Sequence, residues 1–275
     1  MDNRPIGFFD SGLGGLTCIP YVLDALPDES IVYFGDTART PYGSKAVSTI
    51  RSFAFEIADF LVDSSVKMIA IACNTVSSTC LDELRERHPE IPILGIIAPA
   101  AYTAALASHT GKRIGVIGTK ATIASGAYRK AIKESAPDAE IFEAACPALV
   151  PLIEEGIIEN EIMDLTIRYY LDHFVSYNKI DTLVLGCTHY PLIRHNIMQF
   201  YPELSIIDPS RELLTTIETE LANRGILAER TESIPPENTF YASDLSENFV
   251  NMISRILAGS DANACFRTIS LEKKV

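Results

Sequence analysis

The chain has 275 residues, 47% of them hydrophobic and 21% charged, which is apolar material for one large or two medium globular cores. Its 23 basic and 36 acidic side chains leave a net charge of −13, which excludes nucleic acid and an anionic membrane surface as main partners, since both call for a basic surface. The six cysteines, at positions 18, 73, 80, 146, 187 and 265, form no CxxC pair and no zinc-ligand spacing, and the N-terminus leads directly into a strand. Free thiols in a reducing cytoplasm, and no bound metal, are therefore expected.

Taken in order, Pro5 to Asp10 reads as a strand running into the glycine-rich turn Ser11-Gly-Leu-Gly-Gly15, with a helix following to about Leu26. Glycines let backbone approach a ligand and helix N–H groups can hold an anion, although the same residues also make a plain tight turn with Asp10 as its cap. The spacing is not that of the dinucleotide-binding fingerprint. Ser30 to Thr37 is a second strand, and Pro41-Tyr-Gly43 in the loop after it is a turn by composition. Ser48 to Ser64 is helical, with Ile50, Phe53, Ile57, Phe60 and Leu61 on one face. Lys67 to Cys73 is a buried strand with Cys73 at its C-terminal tip, followed by a helix over Ser77 to Arg87. The stretch Ile91 to Gly111 carries no Asp, Glu, Lys or Arg, but Pro92 and Pro99 interrupt it. It reads as a strand, Ile93 to Ile97, and a helix opening near Pro99, and not as a membrane span.

Lys112 to Thr119 then repeats the pattern of Arg4 to Ser11. A helix is expected over Ile123 to Ser135, a strand over Glu140 to Ala144, a loop from Cys146 to Glu155 entering a helix, and a long helix over Asn160 to Val175. Asp181 to Gly186 is an apolar strand ending at Cys187, followed by a helix over about Leu192 to Phe200 and a strand at Ser205 to Ile207. Gly115 precedes Cys187 by about as many residues as Gly7 precedes Cys73, so two related βα halves are expected. The fold class that follows is α/β: two similar domains, each an open, mostly parallel sheet flanked by helices, with the active site in the cleft between them. Beyond a turn at Asp208-Pro-Ser210, a helix from Glu212 to Arg224, a strand from Thr239 to Ala242 and a helix from Ser246, its cap, to Leu257 should cross back onto the first half, with the last dozen residues frayed. Residues 1–97 with 212–275 would then form one domain and 98–211 the other.

Open α/β sheets bind ligands at the carboxyl ends of their strands, where Cys73 and Cys187 both stand. By sequence each precedes a helix, whose dipole would favour the thiolate. A single Cys on an apolar strand packs well as a core residue; two in matching settings point to chemistry. His189 lies two residues after Cys187, but no comparable His follows Cys73, so a thiol–imidazole nucleophile does not account for both. Two acid/base thiols approaching one carbon from opposite faces do, which is the arrangement a two-base racemase needs.

Asp10-Ser-Gly-Leu-Gly-Gly15, Pro41-Tyr-Gly43, Ala72-Cys-Asn-Thr75 and Gly186-Cys-Thr-His-Tyr-Pro191, in that order, resemble the signature segments of the glutamate racemases, in the cofactor-independent aspartate/glutamate racemase superfamily. The resemblance implies interconversion of L- and D-glutamate for peptidoglycan synthesis, with no cofactor, in a cytoplasmic homodimer. It implies that Asp10, Ser11, Tyr42, Gly43, Asn74, Thr75, Thr188 and His189 line the substrate site. It assigns Cys73 to the D-enantiomer and Cys187 to the L-enantiomer, with Glu154 a helper near the second thiol; Asp10 and His189, one beside each thiol, are candidates for assisting proton transfer. Two other readings are a sister racemase acting on aspartate or another small acid, and a two-domain binding protein whose thiols are merely core.

Overall fold

The computed structural model describes residues 1–107, 112–229, 236–244 and 263–271, together with 250, 253, 256 and 257. Strands and helices alternate. The first half runs β1 (Ile6–Asp10), α1 (Ile19–Ala25), β2 (Ile31–Gly35), α2 (Val47–Asp63), β3 (Met68–Ile71), α3 (Asn74–Thr79), α4 (Leu81–Arg87) and β4 (Ile93–Gly95). Then come α5 (Ile97–Ala107), β5 (Arg113–Gly118), α6 (Lys120–Ser125), α7 (Ala127–Ser135), β6 (Glu140–Ala145), α8 (Leu149–Glu154), α9 (Glu161–Asn178), β7 (Thr182–Gly186), α10 (Arg194–Phe200), β8 (Ser205–Ile207) and α11 (Pro209–Arg224). Two strands close the chain, β9 (Asn238–Ala242) and β10 (Ala264–Thr268).

All strand pairs are parallel, in two sheets ordered β10-β9-β2-β1-β3-β4 and β6-β5-β7-β8. Ignoring the two added strands, both sheets have the same order: second, first, third, fourth. The halves are thus topologically equivalent, as the recurring strand pattern led us to expect. In each, the order reverses beside the first strand, and the crevice outside the carboxyl ends there is where such sheets take ligands. That crevice lies between β1 and β3 in one sheet and between β5 and β7 in the other.

Parallel strands covered on both faces need apolar residues at consecutive positions, and β1, β2, β3 and β7 are buried throughout. Alternate side chains go to opposite faces. Phe9, Phe34, Ile69 and Ile71 pack under α2, whose Ile50, Ala54, Ile57, Ala58 and Leu61 recur at helical spacing. Phe8, Tyr33 and Ala70 face the other way, into one continuous core that takes in α5, α11 and the second sheet. Its size is why the two halves pack closely.

Several expectations need correction. The helix after Cys73 begins at Asn74 and breaks at Cys80. The helix expected over Ile123 to Ser135 begins at Lys120 and breaks at Gly126, whose φ is +65°. Asp208-Pro-Ser210 is not a free turn: Asp208 Oδ1 accepts from Ser210 N at 2.9 Å and caps α11. The expected domain limit between 211 and 212 falls inside that helix. The tail is not all frayed, because Ala264–Thr268 pairs with β9. Ser246 lies outside the described residues, as does most of the helix expected to follow it. Among the described residues no helix is long and apolar enough to cross a membrane.

Candidate active site

The carboxyl ends of the two sheets face each other across a narrow cleft. Ser11, Tyr42, Gly43, Cys73, Asn74 and Thr75 line it from the first sheet, and Cys187, Thr188 and His189 from the second. Nine of the eleven residues singled out by sequence thus border one space. Asp10 and Glu154 stand behind it.

Cys73 occupies the N-cap of α3 and is 3% exposed. Its Sγ–H donates to Ser11 Oγ at 3.4 Å. The expectation of an acidified thiol fails here. Burial pushes Cys73 up to about 12, and the nearby Asp10 carboxylate adds to the rise; hydrogen bonding from Ser11 and Val76 only partly offsets it. A six-residue helix is too short a dipole to outweigh the loss of water.

Cys187 is 6% exposed and does not begin a helix. Residues 187–189 form a turn closed by Tyr190 N donating to Cys187 O at 3.1 Å; a 3-10 turn spans Tyr190–Ile193, and α10 starts only at Arg194. The electrostatic partner of this thiol is a side chain. His189 Nδ1 lies 3.8 Å from Cys187 Sγ, and its Nε2 lies 3.1 Å from Glu154 Oε1. Burial alone would lower the imidazole. The hydrogen bonds to Cys187 and Glu154, with the charges of both, outweigh it and raise His189 to about 10, so the ring is cationic at neutral pH.

Asp10 is fully buried, accepting from Gly12 N at 3.0 Å (Oδ2) and from Thr188 Oγ1 at 3.3 Å (Oδ1). Burial raises its pKa against the opposing charge of His189 and the hydrogen bonds. It belongs to neither thiol alone, since it sits within electrostatic reach of both Cys73 and His189. Glu154, at the end of α8, likewise reaches Cys187 only through His189. Thr40 Oγ1 donates to the same Glu154 oxygen at 3.3 Å.

Gly14 of the first turn and Gly43 of the Pro-Tyr-Gly segment are required by close approach. A Cβ on Gly14 would overlap Thr188 Oγ1 and lie 2.6 Å from His189 Nδ1. A Cβ on Gly43 would overlap Thr119, and lie 2.6 Å from its Cγ2. Both backbones press against the opposite half, which no side chain would permit.

Thr40, Pro41, Thr119 and Val150 also line the cleft and were not singled out by sequence. Thr119 carried a signal: in the repeated strand pattern it is the counterpart of Ser11. Its hydroxyl lies 3.0 Å from that of Thr75, joining the two halves at the rim. Thr40 adjoins the Pro-Tyr-Gly segment, and Val150 opens the short segment that ends at Glu154. Among the described residues no group of three or more His, Cys, Asp or Glu is placed to share a metal ion.

Residues 17–217 match the family model described as Asp/Glu/Hydantoin racemase. The chain belongs to this family. The chain is 41% identical over 274 residues to a protein of Geobacter metallireducens named glutamate racemase, covering 100% of both chains. Another protein so named, from Chlorobaculum tepidum, is 45% identical over 260 residues, 94% of each chain. The crystal structure of glutamate racemase from Francisella tularensis subsp. tularensis SCHU S4 in complex with D-glutamate superposes with a TM-score of 0.90 at 37% identity, covering 99% of both chains. Within the family, the twin-sheet frame and the thiol at the end of each third strand are the features the geometry above brings together.

Proposed function

We propose that this chain is a glutamate racemase, interconverting L- and D-glutamate by moving a proton at Cα between Cys187 and Cys73. The observation that carries the reading is the equivalence of the two thiols: each follows the third strand of one of two matching sheets, and both line one cleft. The relatives named glutamate racemase, and the neighbour holding D-glutamate, support glutamate as the substrate.

Racemisation needs a base on one face of Cα and an acid on the other. Cys73 is held as the neutral thiol at neutral pH, and the cationic His189 is a charge partner for the thiolate that Cys187 becomes as base. In the direction from L-glutamate, the Cys187 thiolate takes the α-proton while His189, steadied by Glu154, stands beside it. The electron pair left on Cα spreads into the α-carboxylate. The Cys73 S–H bond then breaks as its proton is delivered to the opposite face, giving D-glutamate. The reverse direction exchanges the two roles, and both sulfurs reset by proton exchange with solvent.

Donors around the cleft fix the substrate. Asn74 Oδ1 accepts from Tyr128 OH at 2.5 Å, which sets the amide's orientation, while Asn74 Nδ2 is buried with no partner among the described residues. A buried unpaired donor at the edge of a ligand cleft is matched to an acceptor that the ligand brings. A carboxylate oxygen of glutamate fits that need, and the hydroxyls of Ser11, Thr75 and Thr188 add to it. Such preorganised donors stabilise the charge that develops as the proton leaves.

The reading includes a homodimer in the cytoplasm that supplies D-glutamate for peptidoglycan. The thiols supply both acid and base, so the reading calls for no metal or pyridoxal group. Circular dichroism of L- or D-glutamate, incubated with the purified protein and a chelator, tests it. The signal should decay to zero from either side, because the enantiomers are equal in free energy. A signal that stays constant would overturn the reading, and decay with aspartate alone would favour the sister activity.

A further inference from the structure

The segment Asp36–Gly43 brings Thr40, Tyr42 and Gly43 to the cleft, and it is fastened from behind by residues beyond the region that matches the family model. Strand β9 pairs with β2 so that Ala242 lies beside Gly35, which sets Ser243 against Asp36. Ser243 N donates to Gly35 O at 3.2 Å. Its hydroxyl donates to Asp36 Oδ1 at 2.8 Å and accepts from Ala38 N at 2.9 Å. Thr37 and Asp244 exchange a pair of hydrogen bonds alongside, Thr37 Oγ1 to Asp244 O and Asp244 N to Thr37 Oγ1.

Asp36 is fully buried, and its other oxygen is shared. Oδ2 accepts from Arg39 Nε at 2.6 Å and from the Tyr42 hydroxyl. Arg39 is itself fixed, with Nη1 on Glu56 Oε2 at 2.6 Å and its guanidinium 4.0 Å from the Phe53 ring centroid. A buried carboxylate needs its lone pairs filled from several sides, and among the described residues Ser243 is the donor to Oδ1. Without that hydroxyl the carboxylate is held only on the side of Arg39 and Tyr42, and it re-aims toward them. Tyr42 and Gly43 line the cleft, so the shift is delivered to the substrate's side of the site.

We infer that Ser243 is a positioning residue for the reaction, acting through Asp36 to hold the Asp36–Gly43 segment where it meets the substrate. This inference rests on the racemase reading for its kinetic consequence and not for the latch itself. Because the segment binds the substrate and does not carry the proton, Ser243→Ala should raise KM for both enantiomers by about tenfold, the size expected for a lost hydrogen bond to a charged group. It should change kcat by less than about twofold, since neither thiol nor His189 is touched. Ser243→Thr, which keeps the hydroxyl, should restore KM. A general loss of packing would instead lower the melting temperature and reduce activity without this split or this rescue.

The test measures kcat, KM and melting temperature for both variants, together with amide hydrogen exchange across residues 36–43 in the absence of substrate. Faster exchange in Ser243→Ala, with raised KM and rescue by Ser243→Thr, supports the inference. Unchanged exchange, or a KM equal to that of the parent chain, overturns it and leaves the racemase reading intact. The exchange measurement reads the latch even if the parent chain proves inactive on glutamate, an outcome that would remove the racemase reading alone.

Discussion

At Cys73 the sulfur is buried beside the Asp10 carboxylate, whereas at Cys187 it is buried beside an imidazole, so two topologically equivalent thiols have unlike electrostatic surroundings. Replacing either by Ala should lower racemisation by at least about 10²–10⁴-fold, the range typical of general acid–base groups. The double variant should be no worse than the worse single one, because either loss disables the same unit. A chiral assay on the three variants reads this; additive losses would mean that the thiols act separately. His189 offers a second test. Its folded-state pKa lies near 10, above the ordinary 6.5. A raised value stabilises the folded state fully below pH 6.5, and that contribution is lost as pH rises through about 10. His189→Asn should therefore cost stability at pH 7, with the deficit shrinking by pH 10.5 in urea denaturation. A deficit equal at both pH values would show that the imidazolium is not what stabilises the fold.

At the scale of elements, the buried strands were legible because parallel pairing demands consecutive apolar residues, and β1, β3 and β7 have them. The helix breaks at Cys80 and Gly126 were less so: Cys80 carries no local breaking signal, and a single glycine is tolerated in many helices. The helix expected from about Leu192 begins at Arg194, but Cys187 does not stand at its N-terminus: Cys187-Thr-His-Tyr-Pro191 looks like a helix entry, yet the chain first makes a separate turn there. The strand Ala264–Thr268 was missed because it is an edge strand with one neighbour and exposed residues. Within the site, the twin thiols and most of their neighbours could be read from two short segments. The Glu154–His189 contact and the reach of Thr40 could not, because they join residues from separate elements. The glycine-rich turn gives the element-scale prediction. Gly14→Ala forces Thr188 and His189 to move, so it should cut turnover by an order of magnitude or more and also lower the melting temperature, since overpacking a buried site costs about 1–3 kcal/mol. Wild-type turnover in Gly14→Ala would mean that this turn does not set the imidazole's position.

For the whole molecule, one core spans both sheets behind the cleft, and a buried ion pair ties the N-terminus and the segment after α11 to the first sheet. Lys67 Nζ lies 2.6 Å from Glu29 Oε2 and donates to Asp2 O and Ile226 O, each at 2.8 Å; Glu29 Oε1 accepts from Ala228 N. Lys67→Met leaves Glu29 buried without its cation and should cost about 3–5 kcal/mol in urea denaturation, with turnover per folded molecule unchanged. A cost under about 1 kcal/mol would show that Glu29 finds water or another partner. Light scattering should give about twice the 30.2 kDa chain mass; a monomer at assay concentration would contradict the proposed homodimer. The central claim is that two thiols serve opposite faces of one carbon, and its most direct test is racemisation in D2O followed by mass and chiral analysis during the first turnovers. The account expects deuterium at Cα of the newly formed enantiomer and almost none in the unreacted one, because the returning proton comes from the solvent-exchanged opposite thiol. Deuterium entering the unreacted enantiomer as fast as the product would contradict it, since a single base on one face would then both take and return the proton.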